Sequence, residues 1–231
     1  MKINHIASGS SGNAVTISDG QTMLMLDAGI RYQNLAVARL INLTDIEAVF
    51  VTHSHNDHCV AVPEMIRRGM TVYMSEGCRK EIVPSKICPT LGHMDTTAEG
   101  TFKVMAFDVI HDTPEPLGFM FQSYYSDEKG IYIADSKCPN YVIDGLTHLI
   151  VECNFQQNRL ENNDKLDESV KERIRRNHMS LESLVEWLSS MNLMSAKEIH
   201  LIHMSTSHCH PKEAVDTIQQ ATGIPTYTLQ Q

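Results

Sequence analysis

The stretch Val51–Cys59, VTHSHNDHC, sets three histidines and one aspartate within six residues, directly after the apolar run Ala48–Val51. Imidazoles and a carboxylate crowded at the end of a buried strand lose hydration together, a cost that a bound partner must offset. The chain must therefore fold so that a strand ends at a site where these groups meet such a partner. His53 and His55 stand two apart, so in extended backbone both project to one side and can converge on one ion. Asp57 and His58 follow as the chain turns into a helix, and can face a second ion. Imidazole with carboxylate suits zinc, manganese or iron rather than calcium.

Around this stretch the chain alternates apolar runs with turns. Lys2–Ala7, Ala14–Ser18 and Thr22–Asp27 read as three strands separated by SGSSGN and DGQ. Leu35–Leu43 has helical spacing, Ala48–Thr52 is a buried strand, and Val60–Arg68 reads as a helix. Thr71–Met74, Phe102–Val109, Gly118–Tyr125, Gly130–Ala134 and Thr147–Glu152 read as further strands. The last third carries helices at Asp164–Arg176 and Ser180–Met191, the second capped by Ser180. A strand at Glu198–His203, a proline-started helix at Pro211–Thr222 and a strand at Pro225–Thr228 follow. The order predicts two sheets covered by helices. With no linker or repeat, residues 1–231 are expected to form one domain.

The net charge of -9 argues against sequence-blind adhesion to nucleic acid or to an anionic membrane. No apolar run reaches the length of a membrane helix. The opening MKINHIASGSSGNAVTI lacks the pattern of a secretory signal, so a cytoplasmic location without membrane contact is expected. The six cysteines are scattered and form no C-x-x-C pair, as expected of free thiols in a reducing compartment. Cys59 and Cys209, each beside a histidine, are the candidates for reactivity.

THSHNDHC resembles the H-x-H-x-D-H signature of the metallo-β-lactamase fold superfamily. The remaining family positions follow in order, each after a short apolar run: His111 after Val109-Ile110, Asp135 after Ile131–Ala134, and His203 after Leu201-Ile202. The resemblance implies an α/β fold, a four-layer αββα sandwich with a two-metal site at one edge. It assigns His53, His55 and His111 to one ion, and Asp57, His58 and His203 to the other, with Asp135 bridging. The implied cofactors are two divalent ions, zinc or else manganese or iron. They would share a hydroxide that acts as nucleophile, with Asp57 among the catalytic residues. Asp27, in LMLDAG, matches the family's aspartate after the third strand and is expected to brace the ligand loop. Members that hydrolyse β-lactams often carry cysteine where this chain has Asp135, which points to other hydrolytic branches.

The opening ASGSSGN resembles that of the small YycJ/WalJ-like members, and Ser10, Ser11 and Asn13 are expected to offer donors to substrate. Glu152 and His178 resemble the carboxylate–imidazole pair of tRNase Z-like phosphodiesterases, a general-acid device. Within the basic run Lys171, Arg173, Arg175 and Arg176, the last two are expected to steer a phosphate backbone. Nucleic acid or another phosphodiester is thus the expected substrate. The 67 residues between Asp135 and His203 leave no room for the β-CASP domain of the large nucleases. His208 and His210 are expected to be structural or exposed, and His5 and His93 to be non-ligands. A glyoxalase II-like thioesterase or lactonase stays open as an alternative, as does a metal-binding member without catalysis. Nothing in the sequence sets an oligomeric state.

Overall fold

Alternating burial along the strands builds two sheets in the computed structural model, which describes residues 1–38, 41–85, 87–139 and 141–229. The first sheet holds β1 (Lys2–Ala7), β2 (Ala14–Ser18), β3 (Met23–Leu26), β4 (Ile46–Phe50) and β5 (Val72–Tyr73), in that order. The second holds β6 (Thr96–Glu99), β7 (Phe102–Asp108), β8 (Leu117–Ser123), β9 (Lys129–Ile133), β10 (His148–Glu152), β11 (Glu198–Ile202) and β12 (Thr226–Thr228). Its order runs β12-β11-β10-β9-β8-β7-β6. Hairpins make β1–β3 and β6–β9 antiparallel, whereas β3-β4-β5 and β9-β10-β11-β12 are parallel. The helices are α1 (Tyr32–Val37), α2 (Asn56–Cys59), α3 (Val62–Arg67), α4 (Glu76–Ile82), α5 (Gln157–Glu161), α6 (Glu168–Asn177), α7 (Leu181–Ser189) and α8 (Pro211–Thr222).

The period of two in β4 shows how the layers form. Ala48 and Phe50 enter the core between the sheets, beside Phe119, Phe121, Tyr132 and Ile150. Val49 and Val51 point the other way, onto Leu35 of α1 and Met65 of α3. The second sheet divides likewise. Ile131, Ile133, Leu149 and Val151 pack on Leu184 and Trp187 of α7 and on Ala214 and Ile218 of α8. Three apolar layers thus separate four structural ones, the αββα sandwich expected. Parallel strands covered on both faces read as unbroken apolar runs, which is why AVFV carries no alternation. No described helix is long and apolar enough to cross a membrane.

Several boundaries differ from the sequence reading. The helix expected at Leu35–Leu43 starts at Tyr32 and ends at Val37, Leu43 opens a 3-10 turn, and Arg39 and Leu40 lie outside the described residues. The helix expected at Val60–Arg68 is preceded by the separate turn α2, which carries Asp57 and His58. Helix α4 was not foreseen because Gly77 sits in its first turn. There a Cβ would come within 2.9 Å of Pro114 Cβ. All six cysteines are free. Burial pushes the Cys59 thiol up to about 12, so this cysteine is not the reactive thiolate that its histidine neighbour suggested.

Candidate metal centre

Parallel strands of both sheets finish at one rim, where open α/β sheets place their ligands. Asp27 follows β3, His53 lies just beyond β4, Asp135 just beyond β9, Glu152 closes β10, and His203 follows β11. Asp27, Asp135 and His203 leave their strands with φ of 58°, 46° and 50°. Asp and His enter this left-handed region more readily than β-branched residues. Each such turn costs on the order of 1 kcal/mol and persists only where the surroundings hold it.

The rim gathers two groups of ligand atoms. His53, His55, His111 and Asp135 form one, and Asp57, His58, His203 and Asp135 the other. Asp135 is common to both because its carboxylate is divided between them. Its Oδ2 lies 3.7 Å from His53 Nε2 and 3.7 Å from His111 Nε2, while its Oδ1 lies 3.4 Å from His58 Nε2. Oδ1 is also 2.8 Å from His203 Nδ1, and His203 Nε2 is 3.3 Å from Asp57 Oδ2. Glu152 and His178 form a further group with Asp135 and His203. Both Glu152 oxygens, however, are already committed to hydrogen bonds.

The imidazoles are turned by what lies behind them. His53 Nδ1 is 2.9 Å from Thr52 Oγ1, His58 Nδ1 donates to Asp27 Oδ2 at 2.7 Å, and His111 Nδ1 donates to the Asn177 carbonyl at 3.2 Å. In each ring the other nitrogen is left facing the centre, the arrangement that fixes a tautomer for metal ligation. His53 Nε2 is buried and has no hydrogen-bond partner, and buried Asp135 Oδ1 has only the neighbouring ligand imidazoles His203 and His58 against it. Buried polar atoms without partners are rare and costly. Here they sit among donors whose chemistry fits a borderline divalent ion. The residues therefore fit the two-ion site that the sequence implied.

Asp27 accepts four hydrogen bonds: from Thr52 N and Oγ1 (2.8 and 3.0 Å), from His58 Nδ1, and from the Tyr132 hydroxyl at 2.8 Å. Its carboxylate is thereby fully used, and the bond from Tyr132 crosses from one sheet to the other. Thr52 and Tyr132 were missed by the sequence reading. Both look like ordinary strand residues, and only their position beneath the rim gives them a role.

The charges compete with protons. Burial, then His58, holds His53 well below the ordinary imidazole range. Burial also opposes charge on His58, but Asp135 and Asp27 outweigh it and raise its pKa well above the usual value. His203 is raised in the same way by Asp135, Asp57 and Glu152, against burial. Both rings are thereby biased toward the protonated form, and a cation must displace that proton, so affinity grows with pH. Zinc titrated by calorimetry at pH 7, in buffers of different ionisation enthalpy, is expected to release about one proton or more per chain. Binding without proton release would contradict this ligand set.

A cavity of about 250 Å3 opens over both groups and is lined besides by Ser10, Val170, Arg173, Ile174 and His178. Buried Glu152 accepts the Ser136 and Met179 N–H groups on Oε2, each at 3.0 Å. Its Oε1 accepts His178 Nδ1 at 2.7 Å and His203 Nδ1 at 3.0 Å. Burial lowers the His178 pKa, but the Glu152 charge and hydrogen bond carry it above its ordinary value.

Not every expected substrate contact lies at the cavity. Ser10 lines it and Ser11 lines the neighbouring groove. Asn13 is buried beneath the loop: its side chain exchanges hydrogen bonds with Gly9 N and O at 2.9 and 3.1 Å, and Nδ2 is 3.0 Å from His58 Nε2. Arg175 turns away to Glu161 and Glu168, and Arg176 reaches Glu172, so neither lines the cavity. Arg173 does, tied to Asp112 at 3.0 Å. The basic run was legible, but the helical rotation that picks out Arg173 was not. Asn163 lies 3.2 Å from His208, and His210 caps α8. His5 pairs with His200 at 2.8 Å, and His93 accepts from Asp108 N, both outside the ligand groups.

A family model described as a beta-lactamase superfamily domain matches residues 22–224. An exodeoxyribonuclease YycJ from Bacillus anthracis is 25% identical over 221 residues, covering 87% of this chain and 81% of its own. Among solved structures, the metallo-beta-lactamase fold protein YhfI from Bacillus subtilis superposes with a TM-score of 0.76 at 15% identity, over 99% of this chain and 95% of that one. The short form of human tRNase Z superposes with a TM-score of 0.64 at 17% identity, over 89% and 93%.

Proposed function

Because the chain belongs to the beta-lactamase superfamily, we propose that its rim cluster binds two divalent ions and hydrolyses phosphodiesters of nucleic acid. The observation that carries this reading is the Asp135 carboxylate divided between two complete ligand groups, with the His178–Glu152 pair on the cavity wall above them. The exodeoxyribonuclease relative supports the substrate class. Zinc, manganese or iron would fit the donors. Residues 1–231 act as one domain in this reading, and a cytoplasmic location belongs to it.

Two such ions, when bound, supply a hydroxide near neutral pH and clamp the attacking and leaving oxygens of an in-line displacement. The protein's own groups do the rest. His203 and His58 hold the Asp57 carboxylate ionised against the opposing effect of burial, so it can orient an attacking water. His178 Nδ1 is committed to Glu152, which leaves Nε2 to donate a proton to the departing oxygen. Glu152 keeps the ring oriented and favours its charged form. Ser10 also lines the cavity, where its hydroxyl can meet a phosphate oxygen.

Metal content and hydrolysis of bis(p-nitrophenyl) phosphate and of DNA, on wild type and on His178→Ala, test this. The expected result is two ions per chain and a fall in DNA turnover of about 10²–10⁴-fold in the variant. The fall on the activated ester is expected to be smaller, because its leaving group needs less protonation. Wild-type turnover of a glutathione thioester without any phosphodiester cleavage would sink the proposal.

A further inference from the structure

A second groove, of about 350 Å3, adjoins the metal cavity and shares Ser10 and Asp57 with it. It is also lined by Ser11, Arg31, Asn34 and Asn56, and by the apolar Ile30 and the exposed Val60. Asp57, at the shared end, is the only carboxylate lining it among the described residues. Arg31 is exposed and has no carboxylate partner among the described residues. Every other described arginine, from Arg67 to Arg176, is paired with a glutamate or aspartate. In a chain of net charge -9, a guanidinium without a carboxylate partner among the described residues, in a groove that adjoins the candidate metal ligands, offers an anion contact. Guanidinium matches the two oxygens of a phosphate.

The polarity of the reaction sets what lies there. His178 and Arg173 wall the metal cavity but not the groove. A leaving oxygen protonated by His178 departs toward α6. The part of the substrate that keeps the phosphate must then extend over Ser10, the residue common to both spaces. We infer that the groove holds the nucleotide retaining the cleaved phosphate, with Arg31 on the next phosphate of a single DNA strand. This rests on the phosphodiesterase reading above. Ile30 and Val60 give the sugar or base an apolar face, and Asn34 and Asn56 give it donors and acceptors.

The test is fluorescence anisotropy of a labelled, phosphorothioate-linked single-stranded DNA of about twelve nucleotides. It is bound to the metal-loaded protein over a range of salt. Arg31→Glu is expected to weaken binding about tenfold or more, and to lower the slope of log K against log salt by about 0.7. Arg31→Lys is expected to keep most of the slope. Metal content and melting temperature, read alongside, establish that the variants are folded. An Arg31→Glu protein that binds with wild-type affinity and slope overturns the groove, as does a wild type that does not bind DNA. Wild-type diester turnover alongside either result leaves the catalytic reading standing. DNA binding lost in Arg31→Glu, without turnover in wild type, keeps the groove and removes the catalytic reading.

Discussion

Asp135→Ala is expected to lower phosphodiester turnover by about a thousandfold or more, and bound metal from two ions per chain to one or none. Asp135 serves both ligand groups at once, with Oδ2 toward His53 and His111 and Oδ1 toward His58. Its removal would deprive each bound ion of a charged donor and leave their spacing unset. Several kcal/mol of transition-state stabilisation would rest on that clamp, and each 1.36 kcal/mol is about tenfold in rate. Metal analysis and single-turnover kinetics decide it. A variant that keeps two ions and most of its rate would show that Asp135 is not the bridge.

The second large effect comes from a residue with no side chain. A Cβ on Gly29 would overlap the Asp57 carbonyl carbon and oxygen, and would lie 2.7 Å from Asn13 N. The crossing is held by Asn13 N donating to Asp57 O at 2.7 Å and by Gly29 N donating to Asn13 O at 2.8 Å. These neighbours are backbone, so they cannot rotate aside. Gly29→Ala must push out the turn that carries Asp57 and His58. We expect about 1–3 kcal/mol or more of destabilisation, and at least about a hundredfold weaker metal binding, toward the upper end of what lost ligand support costs. Gly92 provides the control: its φ is not in the left-handed region, and an added Cβ meets only Asp95 Oδ2, at 3.4 Å. There alanine is expected to be neutral or to stabilise by about 0.4–1 kcal/mol through the unfolded chain. Denaturant unfolding and zinc titration separate the two. Equal behaviour of the two alanine variants would mean that the Asp57 turn yields without cost.

The candidate ligands were legible because each stands just past an apolar run, and a strand that ends in a histidine or aspartate is visible in one dimension. Asp27 was legible for the same reason. Its partners were not: Tyr132 lies in GIYIAD as any strand residue would, and only the packing of one sheet on the other brings its hydroxyl to Asp27. Asn13 was assigned to substrate because it sits in a donor-rich loop, whereas the fold turns its amide inward to close that loop. Arg31 went unnoticed because a lone arginine before a helix carries no signal. Its interest comes from a groove that forms only when the first loop, the Asp27–Gly29 turn and α2 meet. The local elements failed where a glycine stood in the first turn, as at α4, where a strand was short and half-exposed, as at β6, or where a turn divided one helical pattern into α2 and α3.

The bond from Tyr132 to Asp27 has a mechanical meaning. Two packed sheets held by interdigitated apolar side chains resist separation better than they resist sliding, since one hydrocarbon surface grips another without direction. A directional hydrogen bond at the rim opposes that sliding, and ions gripped between His58 of one sheet's loop and Asp135 of the other's would oppose it further. The far end of the sandwich is pinned in the same way, by Ser123 and Thr101 hydroxyls of the second sheet donating to Asp19 of the first, so the two sheets are fastened at both ends, and the rim is the end where bound ions would add to the fastening.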